Sequence, residues 1–368
     1  MDDNAVYIVD WEVSDLVPAH RDKNHHELVY PVVRHLLDRV GVSQADVDLL
    51  VDSGSDFLDG RGLSTMTIVD ALGGHLREEC KVEDDGMWSL IYARMRVLAG
   101  TSRLALVVSY GKSSESDPHW QSATVLDPFM GRPIGLDRLS ASALQASVYI
   151  AAGGGDDGAA ARIAACRHGS AARNRRTPAA MSITEEEILR QEPVMGPLRP
   201  AYLPATGDGA CALLLAEPSL ARRLTDRPVR IAGACSATDT FGLGDRDLVQ
   251  LSSLRVSADA CAARAGWAPS DADVLELAGA TPFEEMLICE ALNVAGSLRA
   301  DEFLASDSGR RVNPSGGLLG ADPVLVTGLV RTVEAAERIR DGALRAFAHS
   351  SSGLALQANA VVALEAGW

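Results

Sequence analysis

The sequence predicts an α/β fold made of two similar halves, each rich in βαβ units, with an insertion between them. The chain has 368 residues and 47% hydrophobic content, which is enough to bury a large core. Strand and helix patterns alternate through its first third. A ten-residue segment from that third recurs without a gap in the last third, which indicates an internal duplication.

The first third supplies the elements of one half. Short apolar runs predict buried strands, and apolar residues spaced three and four apart predict helices. A glycine directly after a periodic segment marks a helix end. On this basis we predict strands at residues 5–9, 48–52 and 104–108, and helices at residues 26–40 and 87–98.

The repeat joins residues 41–50, G-V-S-Q-A-D-V-D-L-L, to residues 266–275, G-W-A-P-S-D-A-D-V-L. Each copy reads as a helix end, a turn and the entry into a buried strand. Gly100 and Gly342 extend the match, because each precedes a further strand. Right-handed crossovers then predict two mixed, mainly parallel sheets with helices between and outside them, and the two copies of the repeat are expected to be related by a pseudo-two-fold rotation.

The middle of the chain differs in composition. It is richer in Gly, Pro and Ala, and it contains the glycine-rich run 153–158 and helical stretches near residues 141–152 and 159–165. We predict an insertion that folds over the core and forms part of a ligand or partner surface. The expected divisions are an N-terminal half at residues 1–108, the insertion at 109–204 and a C-terminal half at 205–368.

Charge and residue usage exclude several functional classes. A net charge of -16 leaves no basic surplus for binding nucleic acid. No uninterrupted apolar segment is long enough to span a membrane. The six cysteines are dispersed without a C-x-x-C pair, which favours a cytoplasmic protein with free, mostly buried thiols. No histidine has metal-ligand spacing to another ligand, so no metal site is predicted.

Residues 313–323, N-P-S-G-G-L-L-G-A-D-P, are followed by T-G-L at 327–329. This resembles the late glycine-rich motif of thiolases of the sterol-carrier-protein type, with Asn313, Gly316 and Gly317 matching. The family implies a thiolase-like fold, with the duplicated halves in a layered α/β/α/β/α arrangement and an insertion, or loop, domain. Further similar segments lie in the same order at residues 207–213, 227–233 and 348–353.

Three catalytic positions of the family are occupied by other residues. The nucleophilic cysteine belongs at the start of a buried helix, where the helix dipole favours a thiolate, and the alignment places Gly86 there. The histidine or asparagine that helps to bind an oxyanion is replaced by Ala278. The histidine of the glycine-rich motif is replaced by Asp322 or lost next to it.

One catalytic position matches. His349 lies where the resemblance implies an acid/base residue, and we expect it to face the helix start at Gly86 across a pocket. The backbone amides of Gly86 and Ser351 are candidates for an oxyanion hole. Asp85 and Asp322 are weaker candidates for a base. A helix cap for Asp85 and a satisfied core histidine for His349 remain open alternatives.

The resemblance leaves three functions open in acyl-CoA or lipid metabolism, such as that of sterol side chains or polyketides. The chain is a non-catalytic or supporting subunit of a heteromeric thiolase-type complex, a cysteine-independent retro-aldolase that acts on β-hydroxyacyl-CoA, or an acetyl-CoA acyltransferase of the Claisen type. Each takes a coenzyme A thioester as ligand and no covalently bound cofactor.

The expected partners are further thiolase-like chains, in a homo- or hetero-dimer or a tetramer, and an accessory protein with a zinc ribbon and an OB-fold. Residues 104–108 are apolar on both faces of the predicted strand. An exposed edge of this kind invites aggregation, so we expect this strand to pair across a subunit interface.

Overall fold

One continuous sheet of mixed strand directions organises the chain. The structure is a computed structural model that describes residues 5–57, 65–177 and 180–368. Its strand order is β3-β2-β4-β5-β1-β6-β10-β9-β7, and β8 pairs with β5. The strands are β1 (Tyr7–Val13), β2 (Leu49–Gly54), β3 (Glu78–Glu83), β4 (Leu104–Lys112), β5 (Thr206–Ala216), β6 (Val229–Thr238), β7 (Val274–Glu276), β8 (Asp322–Pro323), β9 (Arg345–Ser352) and β10 (Ala358–Ala366).

Helices connect these strands and cover both faces of the sheet. Those in the described residues are α1 (His25–Val40), α2 (Thr65–Leu72), α3 (Gly86–Leu98), α4 (Pro118–Thr124), α5 (Arg138–Ala151), α6 (Asp157–Ala171), α7 (Glu185–Leu189), α8 (Pro218–Leu224), α9 (Ser252–Ala265), α10 (Pro282–Ala291), α11 (Ala300–Ala305), α12 (Gly317–Gly320) and α13 (Thr327–Arg340). None of the helices in these ranges has the length and apolar character that a membrane-spanning helix needs.

The sheet consists of two similar halves that meet at its centre. From the centre outwards, one half runs β1, β5, β4, β2, β3, and the other runs β6, β10, β9, β7. Within the sheet, the halves meet where Tyr7 and Ile8 of β1 pair with Arg230 and Val229 of β6. Helices α3 and α13 pack together between the halves, whereas α1 and α2 cover one outer face and α9 and α10 cover the other. The predicted α/β/α/β/α layering is confirmed.

The repeat occupies the same elements in both halves, as predicted. Gly41 ends α1 and Gly266 ends α9, both in the left-handed region with φ of 75° and 79°. A short 3-10 turn and a strand, β2 or β7, follow each glycine. One aspartate in each copy also has the same role. Asp48 accepts bonds from two successive amides at the start of β4, and Asp273 does so at the start of β9.

The insertion packs on the outer face of the C-terminal half. Strand β4 continues to Lys112, so the inserted segment begins four residues later than predicted and ends before β5. Helices α5 and α6 pack against α10 in one apolar cluster that includes Tyr149 and Phe283. Residues 178 and 179 of the insertion lie outside the described residues.

The prediction that residues 104–108 form an edge strand at an interface is wrong. Strand β4 lies between β2 and β5, and every residue of it is buried. A strand in the middle of a sheet that is covered on both faces needs apolar residues on both sides, which explains the pattern. The edge on the N-terminal side is β3 instead, and most of its residues are partly exposed.

Asp52 is an unusual buried group in β2. Its side chain is fully buried beside the apolar layer under α1 and α2. Burial raises the pKa of this carboxyl to about 8, and the neighbouring carboxyl of Glu79 adds to the effect. The folded protein therefore holds a proton that the unfolded chain releases above its ordinary pKa of about 4. Folding stability falls as pH rises between those two values.

We predict that Asp52→Asn stabilises the protein increasingly as pH rises, because the amide needs no proton. The gain grows by roughly 1.4 kcal/mol for each pH unit between about 5 and 7.5. Urea unfolding at a series of pH values measures it. Asp70→Asn, on the exposed side of α2, is the matched control and has no such trend. If the stability gained by Asp52→Asn is the same at every pH, the raised pKa of Asp52 is contradicted.

Candidate functional site

A large cavity opens where the two halves and the insertion meet. Its volume is about 1330 Å³. The turn between β3 and α3 and the start of α13 line its inner end. The loop between β9 and β10 and apolar residues of the insertion form its other walls. The cavity therefore lies at the N-termini of both central helices, where backbone N–H groups favour negative charge.

Asp84 projects from the sharpest point of the β3–α3 turn into this cavity. Its backbone has a φ of 95°, which a side-chain-bearing residue rarely adopts. Strain of this kind is concentrated at functional sites. Burial raises the pKa of the Asp84 carboxyl and the adjacent Glu83 adds to this, whereas the Ser352 hydroxyl and the Asp85 amide act in the opposite direction.

Asp85 caps α3 and ties it to α13. Its carboxylate accepts bonds from the backbone N–H groups of Met87 and Gly328 and from the Ser350 hydroxyl, each at 2.9 Å. Burial raises the pKa of Asp85 to about 7, although these three bonds favour the ionised form. The capping interpretation of Asp85 accounts for this geometry, because its two oxygens are already occupied. A role for Asp85 as a base loses its support.

The structure contradicts both expectations for Gly86. A Cβ atom added there would lie 2.5 Å from the Leu329 Cγ atom and 2.9 Å from the Ser109 Cβ atom, so no side chain fits. Its backbone N–H already donates to the Leu325 carbonyl at 2.8 Å and is not available to an oxyanion. The turn lines the cavity with Glu83, Asp84 and Asp85 instead, and Asp84, two positions before Gly86, is the one of these three with a positive φ.

The expectation that His349 faces the cavity is also wrong. The ring is completely buried in β9 and is not among the described residues that line the cavity. Its Nδ1 atom accepts from the Ala278 amide at 3.3 Å, so Nε2 carries the proton and donates to the Asn359 Oδ1 atom at 2.9 Å. Burial lowers the pKa of His349 to about 4. The alternative of a satisfied core histidine fits this geometry.

The remaining candidate residues line the cavity, but their side chains do not converge on one position at which a substrate could react. Ala278 lies in the wall, and its backbone is bonded both to His349 and to the Ser351 hydroxyl. Asp322 accepts from the Thr327 hydroxyl at 2.8 Å and lies 3.5 Å from the Arg138 guanidinium. The side chain of Ser351 is thus engaged with backbone, and that of Asp322 with a hydroxyl and a cation.

The glycine-rich motif has a structural role. Asn313 accepts from the Leu277 amide at 2.6 Å and donates to the Glu285 carboxylate at 2.6 Å, which joins the end of β7 to α10. Gly316 has a φ of 104°, and a Cβ atom there would lie 2.6 Å from Ala171 of α6. Gly317, with a φ of 60°, begins α12 directly beside Asn313.

Sequence reasoning missed a second polar group in the cavity. Glu284 is 4% exposed, and it accepts from the Ser142 hydroxyl at 2.6 Å and from the Ala280 amide at 2.8 Å. Burial raises the pKa of Glu284, whereas Ser142, Ala280 and Arg138 favour its charge. The available signal was the position of Glu284 in the first turn of a short helix in which most of the residues are apolar.

Several carboxyl groups and the imidazole of His119 are among the titratable groups that line the cavity. No cysteine lies among the described residues that line it, and no cluster in the described ranges could hold a metal ion. Three lining carboxyls, Asp84, Asp85 and Glu284, have raised pKa values, and groups of this kind can transfer protons near neutral pH. Arg138 is a cation in the same wall.

Comparisons with known proteins point to one superfamily. A family model described as Thiolase C-terminal domain-like matches residues 235–365. The acetyl-CoA acetyltransferase of Methanothermobacter thermautotrophicus is 26% identical over 318 residues, which is 83% of each chain. Sterol carrier protein 2 of Gallus gallus is 27% identical over 211 residues, covering 51% of this chain and 38% of the relative.

Solved structures share the fold. An Ltp2-ChsH2(DUF35) aldolase superposes with a TM-score of 0.82 and 20% identity, covering 99% of this chain and 98% of that one. Human mitochondrial 3-ketoacyl-CoA thiolase superposes with a TM-score of 0.76 and 13% identity over 99% and 100% of the two chains. The resemblance expected from the glycine-rich motif is thereby confirmed.

We predict that a thiol placed at Asp84 is reactive, whereas one placed at Gly86 damages the fold. Asp84→Cys presents sulfur to the cavity, so iodoacetamide labels it rapidly. Gly86→Cys forces a side chain into Leu329 and destabilises the protein by about 1–3 kcal/mol. Peptide mass spectrometry and urea unfolding measure the two effects. A stable Gly86→Cys protein with a labelled thiol contradicts the placement of the turn.

Proposed function

Because this chain belongs to the thiolase superfamily and resembles its sterol-carrier-protein-type members, we propose that it binds an acyl-CoA-type thioester and supports a heteromeric thiolase-type complex. The observation that carries this proposal is the carboxylate of Asp84 at the strained turn into the cavity. A carboxylate there cannot form the acyl-cysteine that the thiolase reaction requires.

The cavity suits a thioester that is bound without acyl transfer to cysteine. Apolar residues such as Met130, Ile134 and Leu136 provide a surface for an acyl chain. Arg138 supplies positive charge for a carbonyl oxygen or a phosphate. Coenzyme A is thus a dissociable ligand in this proposal, and no covalent cofactor takes part. The Claisen acyltransferase alternative has no thiol among the described lining residues to support it.

The edge strand β3 is the proposed contact with a second thiolase-like chain. It ends the sheet on the side of the N-terminal half, and Cys80 and Lys81 in its centre are partly exposed. An unpaired edge is a template for another strand. The name of one structural neighbour, the Ltp2-ChsH2(DUF35) aldolase, joins two components. This supports our proposal of an additional accessory partner, which we expect to be of the zinc-ribbon and OB-fold type.

We predict that the purified chain sediments as a dimer or forms a defined heteromer with a cysteine-containing thiolase-like chain encoded nearby. Successive N–H groups of a strand point to opposite sides, so Glu79→Pro and Cys80→Pro remove different bonds. The variant that loses the outward N–H group keeps its fold and loses assembly. The variant that loses the inward N–H group weakens the pairing of β3 with β2. Analytical ultracentrifugation with circular dichroism separates these effects. A monomer in every mixture contradicts the proposal.

A second candidate function is supported by the raised pKa of Asp84 in the cavity. In a retro-aldol cleavage, the Asp84 carboxylate removes the proton from the hydroxyl of a β-hydroxyacyl thioester. The bond between Cα and Cβ then breaks, which releases a carbonyl compound and a thioester enolate, and the enolate regains the proton. Asp84 replaces His349 as the proposed base, because both ring nitrogens of His349 are engaged.

Under this second candidate, Asp84→Asn lowers turnover of a β-hydroxyacyl-CoA by about a hundredfold or more. The rate of the unaltered protein rises with pH through the raised pKa of Asp84, because the ionised form is the base. Asp70→Asn is the matched control: it removes an exposed carboxylate that is not among the residues lining the cavity, and it retains turnover. If Asp84→Asn and the unaltered protein turn over at equal rates, the retro-aldolase candidate is contradicted and the supporting role in a complex is retained.

A further inference from the structure

Two cysteines form a pair on the outer face of the C-terminal half, away from the cavity. Cys235 lies in β6, and Cys261 lies in α9, which packs on that strand. Gly233 and Cys235 are two residues apart on β6, so they face the same side of the strand, toward α9. Gly233 makes the close approach possible, because a Cβ atom there would lie 2.9 Å from the Cys261 Sγ atom. The fold therefore places the Cys261 sulfur beside the segment of β6 that carries Cys235.

Cys235 differs from the other buried thiols of the core because its sulfur contacts a cation, the guanidinium of Arg264. Arg264 follows Cys261 by three residues on α9. The side chain of Arg264 is exposed, so this sulfur lies directly beneath the surface, with 7% of Cys235 accessible. Arg94 of α3 adds a second positive charge, and the neighbour opposite on β10 is the apolar Val361.

These contacts favour the thiolate of Cys235. The hydrogen bond from Cys261 lowers the pKa of Cys235 to about 7, and Arg264 and Arg94 act in the same direction against the effect of burial. The pKa of Cys261 is raised instead, because its proton is held by the Cys235 sulfur and burial disfavours its charge. One sulfur is thus the ionised partner and the other carries the proton.

We propose that Cys235 is a reactive thiolate that is oxidised by hydroperoxides and that Cys261 then resolves it to a disulfide. A sulfur that lies beside an arginine, close beneath the surface and near a second thiol has the arrangement of a redox-sensitive cysteine. This modification site is independent of the proposed thioester binding, because neither cysteine is among the described residues that line the cavity.

The chemistry balances with a hydroperoxide as the oxidant. The Cys235 thiolate attacks one peroxide oxygen, the O–O bond breaks, and Cys235 becomes a sulfenic acid while hydroxide, or alkoxide, leaves and takes up a proton. The Cys261 sulfur then attacks the sulfenic sulfur, and the S–OH bond breaks with loss of water. Two thiols have lost two electrons, and a covalent bond joins β6 to α9.

Alkylation tests the reactivity of Cys235. With limiting iodoacetamide at pH 7, peptide mass spectrometry is expected to show Cys235 labelled about tenfold faster than in Arg264→Met, in which the adjacent charge is absent. Circular dichroism verifies that the variant is folded. The exposed Cys166 is the internal reference, and its rate is the same in both proteins. A Cys235 rate that is unchanged in Arg264→Met overturns the thiolate assignment.

Peroxide treatment tests the disulfide. Hydrogen peroxide is expected to lower the intact mass by about 2 Da and to yield a peptide that joins Cys235 to Cys261. In Cys261→Ser the sulfenic acid persists, and dimedone labels Cys235. In Cys235→Ser neither product forms at this pair. Loss of the joined peptide in the unaltered protein, or dimedone labelling that is equal in all three proteins, overturns the proposal.

Discussion

The carboxylate of Asp85 is the interaction on which the centre of the molecule depends. It accepts hydrogen bonds from the first turns of both central helices, through Met87 in α3 and Gly328 in α13, and from Ser350 in β9. Gly328 must lack a side chain, because a Cβ atom would lie 2.0 Å from the Asp85 Oδ1 atom. One buried carboxylate therefore holds the N-termini of the two pseudo-symmetric helices together. This arrangement fixes the inner end of the cavity, where both helix dipoles favour negative charge.

The functional proposals follow from this close packing. With the Asp85 carboxylate bonded to both central helices and Gly86 pressed against Leu329, Asp84 is the strained residue of the β3–α3 turn that lines the cavity, next to Glu83 and Asp85. The same turn in a thiolase is expected to carry the nucleophilic sulfur. A carboxyl group at this point can bind or exchange a proton, but it does not repeat the chemistry of an acyl-cysteine. The scaffold of the superfamily is thus combined with a cavity in which carboxyl groups, and no thiol, are found among the described lining residues.

Local patterns in the sequence predicted much of the fold. The repeat at Gly41 and Gly266, the helix spacings and the aspartate cap at Asp85 each depend on neighbours in the chain, and each has its expected structural place. The failures concern contacts between distant segments. The central position of β4 depends on β5, which is about a hundred residues away. The burial of His349 depends on Ala278 and Asn359, and Glu284 is buried by the insertion helix α5 through Ser142. No local pattern reports such partners.

The most direct test of the central claim is the intact mass of the protein after incubation with acetyl-CoA and a longer acyl-CoA. If the turn into the cavity carries Asp84 in place of a thiol, no acyl-cysteine forms and the mass remains that of the unmodified chain. Digestion under mildly acidic conditions preserves thioesters and locates any acyl group. An unchanged mass with bound, dissociable acyl-CoA is the predicted result. A stoichiometric acyl group mapped to any of the six cysteines contradicts the account.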